Sequence, residues 1–384
     1  MYRIALKMLV GNTGKYIGLL IGVFFASLIM NQQVSIFCGL MSRTFGFLDD
    51  TSSADIWVMD PKVQFVDDLK PLQETRLSQI RGIEGVGWAM PLYKGLIKAR
   101  LPSGTFQTCN VVGVDDNTLI GGPGNLVSGK LSDLRRSDAI IVDDVGANGK
   151  LAKTLPDGTK DPLKVGDTLE LNDRRAVVVG ISKVTRTFQS QPVVHTTFSR
   201  ATTFAPQERK LLTFIMVKAK SPEDIPALKQ RIEARSGLKA LTLDEFKEAT
   251  VWYYMKYTGI PINFGIAVVL GFVIGLAIVA QTLYSFVLDN LKYFGALKAM
   301  GATNSLLLKM ITVQAAYVGV IGYGLGLGVA STFAEMSKGT ELAFRMMWQV
   351  PLFAGIVVAV ICVLSAAVSL IKVFLLEPAV VFRS

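Results

Sequence analysis

Two glycine-rich segments that carry a lysine are the first places in this sequence where chemistry could occur. Residues 124–131 (Gly-Asn-Leu-Val-Ser-Gly-Lys-Leu) and residues 11–15 (Gly-Asn-Thr-Gly-Lys) have the composition of a loop whose N–H groups cradle nucleotide phosphates. The first has Leu131 where a magnesium-binding serine or threonine is needed, and the second is too short. We therefore interpret both as plain glycine turns, so any ATP hydrolysis linked to this chain would come from another chain.

The remaining titratable and nucleophilic residues form no recognisable catalytic or metal-binding pattern. His195 is the single histidine and has no cysteine cluster near it, so a structural role is expected. Carboxylates occur as neighbouring pairs, but consecutive strand residues point to opposite faces, so turn or capping roles are expected. The pairs are Asp49 with Asp50, Asp67 with Asp68, Asp115 with Asp116, and Asp143 with Asp144. The sequence predicts no catalytic residue and no metal site.

The elements that must position these residues are of two kinds, since uncharged stretches flank one long charged block. Of 384 residues, 51% are apolar and only 18% are charged. Four stretches lack Asp, Glu, Lys and Arg, and each exceeds the ~20 residues that a helix needs to cross a bilayer. They cover residues 16–42, 257–288, 310–334 and 346–371. The first is too long for a cleaved signal peptide, and we interpret it as a retained anchor.

Charges at the short flanks predict the orientation. Basic residues precede the first stretch (Arg3, Lys7 and Lys15) and dominate between the second and third, so these ends are expected in the cytoplasm. Residues 335–345 balance their charges, as an external loop should. Both termini are then cytoplasmic and residues 43–256 are external. Because the stretches hold no Asp, Glu, Lys, Arg or His, an ion-driven transporter is disfavoured.

The external block has the pattern of an α+β domain. Strands are predicted at residues 55–59, 86–100, 106–114, 214–218 and 238–243, with helices at 72–83 and after Ser221. Residues 115–205 contain short apolar runs broken by Gly, Pro, Asn and Asp, and they predict a mostly β insertion. The basic residues of the block are scattered among acidic ones, so no nucleic-acid partner is expected.

A short amphipathic helix is predicted between the second and third stretches. Asp289 marks its start and Gly301 its end. Helical spacing places Tyr293, Ala296, Leu297 and Met300 on one face. Such a helix could lie on lipid or dock into a partner's groove, and the spacing does not decide between them.

Residues 292–302 (Lys-Tyr-Phe-Gly-Ala-Leu-Lys-Ala-Met-Gly-Ala) resemble the Arg-Glu-Ile-Gly-Val-Leu-Lys-Ala-Leu-Gly-Ala signature of MacB/FtsX-type ABC transporter permeases. The resemblance covers essentially the whole chain. Residues 111–114, 164–171 and 177–180 are similar to the family's periplasmic core, and residues 377–383 to its C-terminal tail. The closest variety is the DevC-like permease without a fused ATPase domain. Tyr293 departs from the signature, since glutamate is usual there.

The resemblance implies an ABC-type exporter subunit that is not itself an enzyme. Two copies would form a homodimer in the bacterial inner membrane and bind two copies of a cytoplasmic ATPase, which carries the ATP and magnesium. ATP-driven closure would move the porter-like α+β domain and its inserted β part by mechanotransmission. A periplasmic membrane-fusion adaptor and an outer-membrane duct would be further partners. The implied ATPase-docking residues of the coupling helix are Lys292, Tyr293, Phe294, Gly295, Ala296, Leu297, Lys298, Met300 and Gly301.

Two alternatives stay open. One keeps the fold and makes the chain an FtsX-like regulator or a lipoprotein-releasing permease that acts on a periplasmic partner. The other is a membrane-anchored external enzyme, which the missing catalytic pattern disfavours.

Pairs of glycines spaced by four recur in the apolar stretches and would let helices approach closely. They could pack one four-helix set or form a dimer seam. They are Gly18, Gly22, Gly271, Gly275, Gly322, Gly324, Gly326 and Gly328. Asn31, Gln32 and Gln33 could guide a cargo or hydrogen-bond the second helix.

The predicted architecture is thus four transmembrane helices with a large α+β extracytoplasmic domain between helices 1 and 2. The expected segments are 1–42 (N-terminus and helix 1), 43–256 (external domain), 257–288 (helix 2), 289–309 (coupling helix and loop), 310–334 (helix 3), 335–345 (external loop), 346–371 (helix 4) and 372–384 (cytoplasmic tail).

Overall fold

The computed structural model describes residues 2–51, 53–155, 158–206, 211–338 and 340–374. The chain divides into two compact units. We call residues 1–40 with 259–384 the helical unit, and residues 41–258 the α+β unit. Most of the predicted cytoplasmic tail, and with it the similarity at residues 377–383, lies outside the described residues.

The elements alternate in the order that the sequence pattern predicts. The α-helices are α1 (Tyr2–Gly11), α2 (Thr13–Thr44), α3 (Gly46–Asp50), α4 (Thr75–Arg81), α5 (Asp144–Asn148), α6 (Phe198–Phe204), α7 (Ile225–Ser236), α8 (Leu243–Tyr257), α9 (Ile260–Asp289), α10 (Leu291–Ala299), α11 (Asn304–Ser337) and α12 (Gln349–Phe374). The strands are β1 (Ile56–Met59), β2 (Val86–Arg100), β3 (Phe106–Val114), β4 (Leu126–Ser128), β5 (Ala139–Asp143), β6 (Lys153–Thr154), β7 (Lys160–Asp161), β8 (Thr168–Leu171), β9 (Arg174–Ser182), β10 (Val193–Thr197), β11 (Phe214–Ala219) and β12 (Lys239–Thr242).

Within the described residues, four helices of the chain are long and apolar enough to cross a membrane, namely α2, α9, α11 and α12. Each coincides with one predicted stretch. Helix α9 has 30 residues and is therefore about 45 Å long, which exceeds a ~30 Å hydrocarbon core. It starts at Ile260 rather than at residue 257, because α8 ends at Tyr257 and residues 258–259 break the helix.

The α+β unit is built on a ten-stranded mixed sheet. Its strand order is β12-β1-β11-β2-β3-β10-β5-β9-β4, and β8 pairs with both β2 and β9. The strands from the start of the unit (β1, β2 and β3) and from its end (β11 and β12) interleave in the sheet, since β11 lies between β1 and β2. The strands of the predicted β insertion continue the same sheet, because β10 pairs in parallel with β3. The predicted α+β architecture is confirmed.

Both faces of this sheet are covered. Ile56 and Val58 of β1 belong to one buried cluster, whereas Trp57 and Met59 belong to another. All four β1 residues are buried, so the alternation seen in the sequence separates two cores rather than a core and a solvated face. Trp57 packs against Phe214, with ring centroids 5.8 Å apart.

The tyrosines that precede the second membrane helix pack within the α+β unit. Tyr253 stacks on Phe65 at 4.1 Å, and the buried Tyr254 also contacts Phe188. Burial raises the pKa of Tyr254 to about 12. Tyr257 is 62% exposed, so it alone of the three has the exposure of an interfacial residue.

Candidate functional site

Helix α10, which the sequence analysis interprets as a coupling helix, follows α9 almost without a linker. Asp289 is the last residue of α9 rather than the start of α10, and only Asn290 separates the two helices. The side chain of Asn290 donates to the carbonyl of Phe286 at 2.8 Å, which fixes the corner.

Gly301 ends α10, as the sequence predicts. It has a φ of +93°, a conformation that glycine adopts at little cost. The N–H of Gly301 donates to the carbonyl of Lys298 at 3.1 Å, and the N–H of Ala302 donates to that of Leu297 at 3.0 Å. This bonding pattern is a Schellman motif, so the end of the helix is defined by local hydrogen bonds.

The buried face of α10 differs from the predicted face. Phe294, Gly295 and Leu297 are buried, and Phe294 and Leu297 belong to the core cluster of the helical unit. Tyr293 and Met300 are 63% and 76% exposed. Because α9 passes directly into α10, the side of α10 next to the helical bundle must supply apolar side chains. This side lies about a quarter turn around the helix from the predicted face. Leu297 therefore points inward.

The cluster that receives α10 joins the ends of several helices at this end of the helical unit. It includes Ala5 and Leu9 of α1, Phe286 of α9, and Leu307 and Met310 of α11. Helix α1 is held to α11 by the side-chain amide of Gln314, which donates to the carbonyl of Ala5 at 2.7 Å. A force on α10 would therefore be shared among α1, α9 and α11 through contiguous packing.

The exposed side of α10 is apolar and basic. Besides Tyr293 and Met300 it presents Lys292, and Ala296 is half-buried. Asp289, at the adjoining end of α9, is paired with Lys15, with the charged atoms 3.5 Å apart. Such a surface suits a groove with apolar walls and acidic rims.

Six of the eight predicted packing glycines lie against a neighbouring helix. A Cβ added at Gly22 or Gly18 would meet α9, at 2.7 Å from Ile278 and 3.3 Å from Thr282. A Cβ added at any of the other four glycines would be similarly close to a side chain of α2. These distances are 3.0 Å from Gly271 to Ile29, 2.5 Å from Gly275 to Ala26, 2.7 Å from Gly322 to Val23 and 2.7 Å from Gly326 to Ser27. Helix α2 thus packs closely against both α9 and α11.

Gly324 and Gly328 have a different environment. No atom of the described chain lies within 4 Å of a Cβ added at either position, the chain neighbours and the helix's own backbone aside. Both glycines are exposed on α11, beside Val320, Leu325 and Val329, which are 73%, 52% and 45% exposed.

Sequence reasoning missed a further close contact of α11, at Gly319. A Cβ there would lie 2.8 Å from the sulfur of Cys362 in α12. Gly319 lies three residues before Gly322, so a search for spacing of three as well as four could have found it. Asn31 is also buried, and its side chain donates to the carbonyl of Ser27 in its own helix rather than to the second membrane helix.

The glycine segments with lysine do not form phosphate loops. Gly11 is the last residue of α1, and Gly14 lies in the first turn of α2. Residues 126–128 form strand β4, which pairs with β9.

The acidic pairs have structural partners, which include the expected capping role for Asp143 but an ion pair for Asp67. Asp143 accepts hydrogen bonds from the N–H groups of Gly146 and Val193, each 2.7–2.8 Å long. Burial raises its pKa to about 6. Asp67 is ion-paired with Lys94, whose side chain is only 2% exposed.

His195 is buried in the sheet, and burial lowers its pKa to about 4. Its Nδ1 has no hydrogen-bond partner among the described residues. Over the part of the chain that the structure describes, no group of three or more His, Cys, Asp or Glu could hold a metal ion.

Comparison with known families and proteins gives consistent matches. Residues 17–235 match the model of the MacB-like periplasmic core domain, and residues 265–378 match that of the FtsX-like permease C-terminal domain. The uncharacterized ABC transporter permease MJ1507 of Methanocaldococcus jannaschii is 26% identical over 213 residues, 52% of this chain and 51% of the relative. The chain thus spans about half the length of this relative.

Two solved structures are similar over about half of the chain. The periplasmic region of MacB from Actinobacillus actinomycetemcomitans has a TM-score of 0.38 at 13% identity, covering 52% of this chain and 94% of that one. The extracellular domain of the transporter YknZ from Gram-positive bacteria has a TM-score of 0.34 at 12% identity, covering 49% and 99%.

Proposed function

We propose that this chain, which belongs to the ABC transporter permeases of the MacB and FtsX type, transmits ATP hydrolysis in a separate cytoplasmic ATPase to its external α+β domain. In this proposal it is a non-catalytic subunit. The ATP and magnesium bind to two copies of the ATPase, and neither glycine segment of this chain has the geometry of a phosphate loop.

The observation that carries the proposal is the seating of α10. Its inner side, Phe294 and Leu297, is part of the core cluster shared with α1, α9 and α11, while Tyr293 and Met300 project outward. A partner that holds the outer side can therefore move the ends of two membrane helices through packed side chains. We place this end of the bundle in the cytoplasm, with both termini, because Lys7, Lys15 and Lys292 lie there.

Docking would use the outer side of α10 only. Lys292, Tyr293 and Met300 are exposed, whereas Phe294, Gly295 and Leu297 would support the helix from within. Tyr293 occupies the position where the family signature has glutamate. We infer that an aromatic contact replaces a charged one at this point of the ATPase groove.

We also propose a homodimer that uses the free face of α11. Gly324 and Gly328 leave a shallow strip on which a second helix could lie closely, flanked by Val320, Leu325 and Val329. In a membrane, such small-residue strips associate by van der Waals packing rather than by the hydrophobic effect. The other six glycines already serve packing within one chain.

On the external side we propose export from the inner membrane through a periplasmic adaptor and an outer-membrane duct. The support is the resemblance in the coupling segment and the match to a periplasmic core domain. An ATPase would then move the external domain without passing cargo between the membrane helices. This is compatible with apolar stretches 16–42, 257–288, 310–334 and 346–371 that contain no Asp, Glu, Lys, Arg or His.

The test is affinity purification of the tagged full-length chain from its native membrane in mild detergent, with mass spectrometry and an ATPase assay. Recovery of an ATP-binding cassette protein with ATPase activity would support coupling, and a co-purifying adaptor would support export. If a hydrolase or lipoprotein is recovered in place of the adaptor, the chain acts as a regulator. If no ATPase is recovered, the proposed energy source is wrong.

A further inference from the structure

Two open depressions of the α+β unit meet at Arg175. One, of about 480 Å³, is lined by Arg174, Arg175, Arg200 and Asp138 among others. The other, of about 700 Å³, is lined by Arg100 and Arg175 and by the carboxylates of Glu170 and Asp173, among others. Since Arg175 borders both, we treat them as one groove and call it the arginine groove.

The arginine groove lies where two hairpin ends and a helix meet. Residues 101–105 close the β2–β3 hairpin, where the N–H of Leu101 donates to the carbonyl of Thr105 at 2.9 Å. The β8–β9 hairpin turns at Asn172 and Asp173, which have φ values of +48° and +60°. Both residue types tolerate this left-handed conformation, and the resulting tight turn leads directly into Arg174. Strand β8 pairs with β2, so both hairpins are anchored in the main sheet.

The charge of the first depression is unbalanced. Three guanidinium groups line it, and Asp138 is its single acidic lining residue. None of Arg174, Arg175 and Arg200 forms an ion pair with another residue that the structure describes. Arg200 is partly fixed, because its guanidinium donates to the carbonyl of Leu134 at 2.9 Å. Arginine forks bind carboxylates in a bidentate manner, so the groove is suited to an anionic group.

Two features favour a protein segment over a free anion. The combined groove is much larger than a single phosphate or carboxylate needs, and it continues past Arg175 towards Arg100, which is ion-paired with Glu170 at 3.6 Å. Phe106 pairs in register with Arg100, which lines the groove, and is 64% exposed, so an exposed aromatic residue lies opposite a groove residue on the neighbouring strand. Exposed aromatic and arginine side chains together are typical of protein interfaces.

We propose that the arginine groove binds an acidic, extended segment of an external protein partner. The segment's carboxylates pair with Arg174, Arg175 and Arg200, and one of its apolar side chains packs on Phe106. This inference rests on the proposed function in one respect, since an external partner is part of that function. It does not depend on the ATPase or on nucleotide.

The experiment uses the full-length protein in detergent and a fluorescein-labelled hexapeptide of alternating glutamate and leucine. Fluorescence anisotropy measures the peptide's Kd. Arg174→Gln/Arg175→Gln should weaken binding about threefold to tenfold, and so should raising the salt concentration. Arg200→Gln is a second variant if the double variant fails to fold. Arg235→Gln removes one positive charge, as Arg200→Gln does, from an exposed position on α7 outside the groove, and it should bind the peptide as the wild type does.

A matched peptide with glutamine in place of glutamate should bind at least several-fold more weakly, which tests the role of charge. Phe106→Ser should weaken binding of the glutamate peptide, whereas competition by inorganic phosphate for the groove should be unchanged in that variant. The proposal is overturned if the wild type does not bind the glutamate peptide, or if the double variant binds it equally well. It is also overturned if phosphate competes fully and Phe106→Ser has no effect, because the groove is then a simple oxyanion site. None of these outcomes affects the separate test of ATPase recovery.

Discussion

Substitutions on the two sides of α10 should have separable effects. Tyr293 and Met300 are 63% and 76% exposed, so Tyr293→Asp/Met300→Asp should change the free energy of unfolding by no more than about 0.5 kcal/mol per site. Phe294 is fully buried, and Phe294→Ala should destabilise the helical unit by about 3–5 kcal/mol, because a cavity is left in the cluster.

The effect on ATPase binding should be the reverse. If Tyr293 and Met300 are interface anchors, their joint loss should cost about 2–3 kcal/mol, which weakens ATPase binding roughly 30-fold to 150-fold. The introduced carboxylates should add repulsion if the groove has acidic rims. Phe294→Ala should lower the yield of folded protein, while the folded fraction keeps part of its ATPase binding.

The assay combines thermal unfolding in detergent, titration of the purified ATPase and stimulated ATP hydrolysis. Lys7→Gln on α1 is a control, because it removes a basic residue from the same end of the helical unit without altering α10. The reasoning fails if Tyr293→Asp/Met300→Asp binds the ATPase normally, since another surface then docks. It also fails if that variant unfolds as easily as Phe294→Ala, since Tyr293 and Met300 would then be buried.

Two further outcomes follow from packing and burial. Gly326→Val should destabilise the bundle by roughly 1–3 kcal/mol through overpacking against Ser27. Gly324→Val should leave the unfolding temperature of the bundle unchanged and should reduce chemical cross-linking between copies of the chain. The second outcome concerns pH. Burial lowers the pKa of His195 from 6.5 to about 4, so its neutral form contributes stability above pH 6.5 that is lost as the pH falls towards 4. Asp143 has a raised pKa of about 6, so its effect has the opposite sign. Its protonated form contributes stability at low pH, and this stability is lost as the pH rises to about 6. Between pH 7 and pH 4, His195→Gln should therefore lose about 3 kcal/mol less of its free energy of unfolding than the wild type does, as measured by urea unfolding. An equal change of the free energy of unfolding with pH in the two proteins would contradict the burial of His195.

Several features could be predicted because their causes are local. A membrane span depends on about 20 consecutive apolar residues, so α2, α9, α11 and α12 are visible in the sequence. The end of α10 depends on one glycine in a left-handed conformation, and Gly301 occupies that position. Strands β2 and β3 were predicted with their observed bounds, since they alternate and a Pro-Ser-Gly turn separates them.

Other features depend on contacts that are distant in the sequence. The parallel pairing of β3 with β10, which joins the predicted insertion to the main sheet, links Val114 to Thr197. The arginine groove likewise joins Arg100, Arg175 and Arg200, and no spacing rule relates them.

The sequence by itself determined the membrane spans, the α+β character of the external block and the presence of a short helix between α9 and α11. The tertiary structure decided which side of each helix faces its neighbours. Gly324 and Gly326 have equivalent spacing patterns, yet only Gly326 packs against α2. Leu297 and Met300 were predicted on one face, yet only Leu297 is buried. The physical reason is that periodicity defines the faces of a helix, whereas the rotation of each face towards a partner is set by packing across the whole bundle.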